Sequence, residues 1–289
     1  SNLMVIRILR ELKKWDEAAV IIESLVNNEK FESINAELLL ELSNLLLTQN
    51  KLNESIDVFQ QITEKYPKTI FSAEAYFNIG NYSLDIEKNY SKAKKMYENV
   101  ELEFPSSIYI STSKSRINEI NLVESYNDSI NIYKAFIETD STNVKNIANE
   151  KNYNKISFFY YSIAEIEAFR FNHINDGINY FNIIVNDYPN SSYSPKSLFS
   201  LYYLYQKISN KKLRIDIRDK LLKDYSDTDY SRFISNSIGS EIKDLAGERM
   251  LNAEIFIKQN PTEAIYLYKK ILEDFPKTSY YSSIILSIA

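Results

Sequence analysis

Apolar side chains along the chain follow helical periodicity and keep a fixed distance from a repeated turn segment. The segment reads aromatic, Pro or Ser, any residue, Ser or Thr, any residue, aromatic. Five clear copies are Tyr66–Phe71, Phe104–Tyr109, Tyr188–Tyr193, Tyr225–Tyr230 and Phe275–Tyr280, and two weaker ones lie near Lys30 and Ser141. Taken at the Pro position, the markers step along the chain by 37, 38, 36, 48, 37 and 50 residues. Periods of this size predict a helical-repeat array, with each unit an A helix followed by an antiparallel B helix.

Each marker predicts what precedes it. Twelve residues earlier stands a small side chain: Ala18, Ser55, Ala93, Ser129, Gly177 and Ala264. Eight residues earlier stands a bulky one: Ile22, Phe59, Tyr97, Tyr133, Phe181 and Tyr268. The small residue lets helix B approach its A helix closely, and the large one fills the space between units one turn later. Proline after helix B stops that helix. The Ser or Thr two positions on (Thr69, Ser107, Ser191, Thr228, Thr278) is placed to cap the next A helix.

This pattern resembles the tetratricopeptide repeat, and Tyr76 with Ile79-Gly80 matches that family's helix A. The Tyr-Pro-x-Ser/Thr-x-aromatic extension and the 36-to-38-residue units look more like one branch, the BamD-like and Tol–Pal-associated bacterial envelope repeat proteins. The resemblance implies an all-α, right-handed superhelical solenoid of about seven hairpins, one domain over 3–289. It also implies a non-catalytic scaffold holding a protein or peptide on its concave face, in an outer-membrane or peptidoglycan-associated complex. A periplasmic, outer-membrane-associated location follows from the same resemblance, with membrane attachment only through a lipid anchor outside this chain. A cytosolic repeat adaptor is the alternative, and a glycan-binding or enzymatic domain a lesser one.

In this repeat class, helix A residues line the concave face. Carrying those offsets over gives Leu40 with Asn44, Phe77 with Asn81, Ser115 with Glu119, Tyr161 with Glu165, and Phe199 with Tyr203. Tyr161, Phe199 and Tyr203 would then form an aromatic strip. The 23 Tyr suit such a surface, since each joins a large apolar ring to a polar tip.

Three departures interrupt the repeat. Arg214 and Arg218 stand where small and aromatic residues are expected, although Ile217, Leu221 and Leu222 keep an apolar stripe. Extra residues around Thr142–Tyr153 are Asn-rich and polar, the composition of a loop. Those within Thr228–Lys258 keep helical spacing through Phe233, Ile234, Ile238, Ile242, Leu245, Met250 and Ile255, predicting a longer A helix or an added short one. The apolar run Ile284–Ala289 and the tag-like Ser1-Asn2 suggest a fragment of a longer chain.

Composition narrows the chemistry. Lys+Arg 34 against Asp+Glu 39 leaves a net charge of −5, without the basic stripe of a nucleic-acid binder. Cys is absent, which removes disulfides and thiolate chemistry. No cofactor or metal is expected: His173 is the single histidine, it reads as a turn residue, and no carboxylates stand around it in a ligand pattern along the sequence. The four Gly are scattered and make no phosphate cradle. Glu101 with Glu103 and Glu165 with Glu167 are two apart and face different sides of a helix, so they are not expected to be catalytic dyads. The densest charge is the basic patch Lys211, Lys212, Arg214 and Arg218, which reads as a solvated face balanced by Asp216, Asp219 and Asp224, or as a docking surface for an acidic partner or lipid head groups.

Overall fold

The computed structural model describes residues 2–139, 147–236, 245–257, 261–275, 278 and 280–288. All regular structure among them is helical. The chain divides into two compact units, 1–220 and 221–289.

The first unit runs α1 (Asn2–Glu11), α2 (Trp15–Val26), α3 (Asn35–Thr48), α4 (Leu52–Lys65), α5 (Ile70–Asp85), α6 (Tyr90–Glu103), α7 (Ile110–Thr139), α8 (Ile147–Glu165), α9 (Ile174–Asp187) and α10 (Tyr193–Lys207). It then includes most of α11 (Lys211–Asp224). From α1 to α10 every helix packs on the next, and A-type helices also touch across units: α1 on α3, α3 on α5, and α8 on α10. This is the nearest-neighbour packing of a repeat array.

The A-to-B turns share one backbone device. Lys13, Asn50, Lys88, Asn172 and Ser209 all have φ between 53° and 59°, and each lies two residues before the first residue of a B helix. A left-handed residue reverses the chain after helix A, and at these five turns non-glycine residues carry it. The sequence pattern did not single out these positions.

The small and bulky positions behave as expected in most units. Ala18, Ser55 and Ala93 are fully buried, as are Ile22, Phe59 and Phe181, with Tyr97 almost so. Ser55 Oγ donates to the Ser43 carbonyl at 2.9 Å, so even the hydroxyl at the helix contact is satisfied. Around Phe59 gather Leu39, Leu40, Ile56, Ile62, Ala75 and Ile79, a B helix held between two A helices. Each such fully buried large side chain contributes roughly 1.5–3 kcal/mol.

The fourth unit departs. A and B positions fuse into the single 30-residue α7, which has no left-handed turn residue. Ser129 therefore makes no hairpin contact; it is half-exposed and bonds back to the Ser125 carbonyl at 2.9 Å. Tyr133 turns toward α8, 5.9 Å from Phe159, with the Lys155 ammonium over its ring. The Asn-rich stretch is also not wholly a loop: from Ile147 onward it is the first turns of α8, while 140–146 lie outside the described residues.

The predicted caps divide three ways. Thr69 forms a capping box on α5, its Oγ1 accepting from the Ser72 amide at 3.1 Å, and Thr228 Oγ1 accepts from the Ser231 amide at 3.3 Å. Ser107 and Thr278 accept from amides only two residues on, Tyr109 and Tyr280. Ser191 does not cap: its Oγ is buried without a partner among the described residues, and Ser192, the residue before α10, already has helical geometry and makes no side-chain cap bond.

The second unit includes α12 (Asp229–Asn236), α13 (Leu245–Ile257), α14 (Pro261–Asp274) and α15 (Tyr281–Ile288). The apolar periodicity after Thr228 thus yields two helices, with Ile234 and Met250 buried and Phe233 exposed; Ile238 and Ile242 lie outside the described residues. Ala264 and Tyr268 pack with Ala253, Ile271 and Ile284 in this unit's core.

Candidate functional site

The predicted concave-face positions all fall on A-type helices of the first unit, or on α7, but they differ in how much surface they offer. Leu40, Phe77 and Tyr161 are core residues, each less than a tenth exposed. Phe77 stacks on Tyr109 with ring centres 4.6 Å apart, and Tyr161 packs edge-on to Phe181 at 5.3 Å. Ser115 is exposed, while Asn44, Asn81, Glu165, Phe199 and Tyr203 are half-buried. The three-ring strip therefore reduces at the surface to one pair, Phe199 and Tyr203, edge-to-face at 5.0 Å on α10.

Several predicted positions tie the structure together. Asn81 Oδ1 accepts from the Tyr97 hydroxyl at 2.8 Å. Glu119 is buried and takes Arg116 at 3.0 Å on one oxygen and Arg170 at 2.9 Å on the other. At the first A–A contact, Glu41 is held by Arg10 at 2.9 Å and by Arg7. A buried carboxylate with two guanidinium partners is compensated, and removing one partner leaves an uncompensated charge.

On α8 and α10, Lys196 sits 4.1 Å from the centre of the Tyr161 ring. Burial raises the Glu165 carboxyl above its ordinary range, and the Lys196 charge and a Tyr161 hydrogen bond pull it partly back. Lys196, Phe199 and Tyr203 follow i, i+3, i+7 spacing, so one face of α10 presents a cation and two rings. Glu74 on α5 is likewise raised by burial, partly offset by a Tyr109 hydrogen bond; burial and Glu74 push the Tyr109 hydroxyl up to about 12.

The sequence carried a signal for Tyr109 and Tyr193 that was not read. Both are the closing aromatic of the turn motif, and each packs back on a face residue of an A helix, Phe77 and Tyr161 (Tyr193 at 5.6 Å).

The basic patch is smaller than its sequence suggests. Arg218 bonds Asp219 at 2.8 Å and Arg214 lies over the Tyr202 ring, leaving Lys211 and Lys212 as the exposed cations among the four.

His173 is the largest surprise. It lies in the turn before α9, as expected, yet it is buried and ringed by carboxylates. Nδ1 is 2.8 Å from Glu167 Oε2, Nε2 is 3.5 Å from Asp85 Oδ1, and Asp176 Oδ2 is 4.0 Å from Nδ1. Tyr90 donates to the other Glu167 oxygen, and Lys88 pairs with Asp176 at 2.9 Å. Burial alone would lower the imidazole pKa, but the facing Asp85 carboxylate and the Glu167 hydrogen bond outweigh it and hold it above the usual value. The carboxylates come from 88 residues away (Asp85) and from a single π-turn, Ile166–Arg170, that re-aims Glu167.

Two segments match the tetratricopeptide-repeat family model. They are residues 37–69, spanning α3, α4 and the turn after them, and 253–278, spanning the end of α13 and all of α14. No curated protein matches the chain. Among solved structures, the chain is similar to the one described as the P58(IPK) TPR domain, at 14% identity and a TM-score of 0.38, covering 99% of this chain and 76% of that one. At that level of likeness it adds nothing to the helical architecture read from the helices themselves.

Proposed function

We propose that the chain is a non-catalytic scaffold that holds a protein or peptide on the A-helix face of its first unit. The observation that carries this reading is the half-exposed pair Phe199 and Tyr203 beside Lys196 on α10. Aromatic side chains with a neighbouring cation are the residue types enriched at the energetic centres of protein interfaces. The tetratricopeptide matches supply the same reading at the level of repeat type. A preassembled helical array binds with little ordering cost, because the face exists before the partner arrives.

The test is capture of the partner by the wild-type chain and by the Phe199→Ala/Tyr203→Ala double variant, with circular dichroism confirming that the fold is retained. Loss of the captured partner in the variant supports the face; equal capture places binding elsewhere.

We further propose an envelope location, in an outer-membrane or cell-wall-associated complex. This rests on the Tyr-Pro-x-Ser/Thr-x-aromatic turns at 36-to-38-residue spacing and their resemblance to envelope repeat proteins. Recovery of the untagged protein in the membrane fraction supports it; recovery in the cytosol favours a cytosolic adaptor.

A further inference from the structure

We propose that His173 and Asp85 form a binding site for a divalent transition-metal ion of the zinc class, with Glu167 as the outer carboxylate that orients the imidazole. The His173 side chain is only 5% exposed, and its Nε2 makes no hydrogen bond among the described residues. Nδ1 is engaged at 2.8 Å by Glu167, a carboxylate that is itself 3% exposed and fixed on its far oxygen by the Tyr90 hydroxyl. With the Nδ1 proton donated to Glu167, the lone pair of a neutral ring lies on Nε2. That carboxylate–histidine arrangement fixes tautomer and ring plane at metal sites.

Nε2 faces Asp85 Oδ1 at 3.5 Å, too far for a good hydrogen bond. It suits two ligands of one tetrahedral ion: bonds of about 2.0–2.1 Å to each atom would subtend an angle near the tetrahedral value. Asp85 is half exposed, so water can reach the remaining positions. Glu167, His173 and Asp176 also bring ligand atoms within 4.8 Å of one another, but on the Nδ1 side of the ring and without Asp85; Asp176 there pairs with Lys88 at 2.9 Å. An ion here would join the C-terminal end of α5 to the turn before α9, two hairpin tips distant in sequence. Binding displaces any proton on Nε2, so ion and proton compete for that atom.

His173 is the only histidine and the chain has no Cys, so the site can be read without competing imidazoles or thiols. The experiment is a Zn²⁺ titration of the full chain, followed by the long-range ¹⁵N spectrum of the imidazole and by thermal melting, with chelator reversal. The expected result is one equivalent bound, a shift of the Nε2 resonance with Nδ1 still protonated, and a raised melting temperature. Asp85→Asn, a change at a half-exposed site, is expected to weaken binding at least about tenfold, and Glu167→Gln by about 10–100-fold. Two outcomes would overturn the proposal. One is an imidazolium with both nitrogens protonated near pH 7 and unmoved by millimolar Zn²⁺. The other is binding that Asp85→Asn leaves unchanged, which would mean an adventitious ion only.

Discussion

Gly80→Ala offers a sharp test of how tightly the hairpins pack. A methyl group built at Gly80 would lie 2.7 Å from Tyr97 Cε1 and 2.8 Å from Cδ1. Carbon atoms in contact prefer about 3.5–4.0 Å, so the overlap approaches a full ångström. The ring has little room to retreat, because Tyr97 is 1% exposed and its hydroxyl is tied to Asn81 at 2.8 Å. Overpacking costs about 1–3 kcal/mol, and losing the tyrosine hydrogen bond adds about 1 kcal/mol. Against this, alanine is better than glycine in a helix by about 1 kcal/mol. The net expectation is a loss of about 2 kcal/mol, within the range of those opposing effects. In a Tyr97→Leu background the obstructing ring is gone, and the same substitution should become neutral or stabilise by up to about 1 kcal/mol. Long arrays need not unfold in one step, so urea unfolding by circular dichroism should be paired with amide exchange of α5 and α6. If Gly80→Ala stabilises the protein, and does so equally with and without the Tyr97 ring, the close approach is wrong.

Other perturbations separate the remaining contacts. Gly177→Ala should be harder to accommodate, at about 3 kcal/mol by thermal or urea unfolding, because its methyl would meet Ala168 Cβ at 2.5 Å and backbone atoms at 3.0 Å. Thr69→Ala removes the capping box on α5 and should cost about 1 kcal/mol, with faster exchange of the Ser72 amide. Glu165 is raised in the folded state above its ordinary value of 4.5, so its stabilising contribution is full below that value and is lost as pH rises through the raised one. Glu165→Gln should therefore stabilise the protein near neutrality and flatten the decline of melting temperature with rising pH.

Much of the helical architecture was legible because it follows from spacing. The small and bulky positions at Ala18 and Ile22, Ser55 and Phe59, or Ala93 and Tyr97 are core contacts that any hairpin of this geometry needs. The fused α7 was not legible, since Ser129 and Tyr133 fit the pattern by residue type while the chain simply lacks a left-handed turn between them. The turns themselves were hidden because Lys13, Lys88 and Ser209 are not the residues usually associated with positive φ. On the candidate face, offsets located the A helices but not the depth of each side chain, so Leu40, Phe77 and Tyr161 proved to be core. Depth depends on neighbours such as Tyr109 and Tyr193, supplied from the following turn. The carboxylates around His173 were unreadable for the same reason, being assembled from segments far apart in sequence.

The central claim is that the A-helix face of the first unit receives a protein. The most direct measurement is photo-crosslinking in the protein's own cells, with a photoreactive residue placed in turn at Ser115 and Tyr203 on that face and at the exposed Gln60 and Glu98 on B helices. Adducts with one partner at Ser115 and Tyr203, and none at Gln60 and Glu98, are the predicted result. Adducts confined to the B-helix positions would contradict the account.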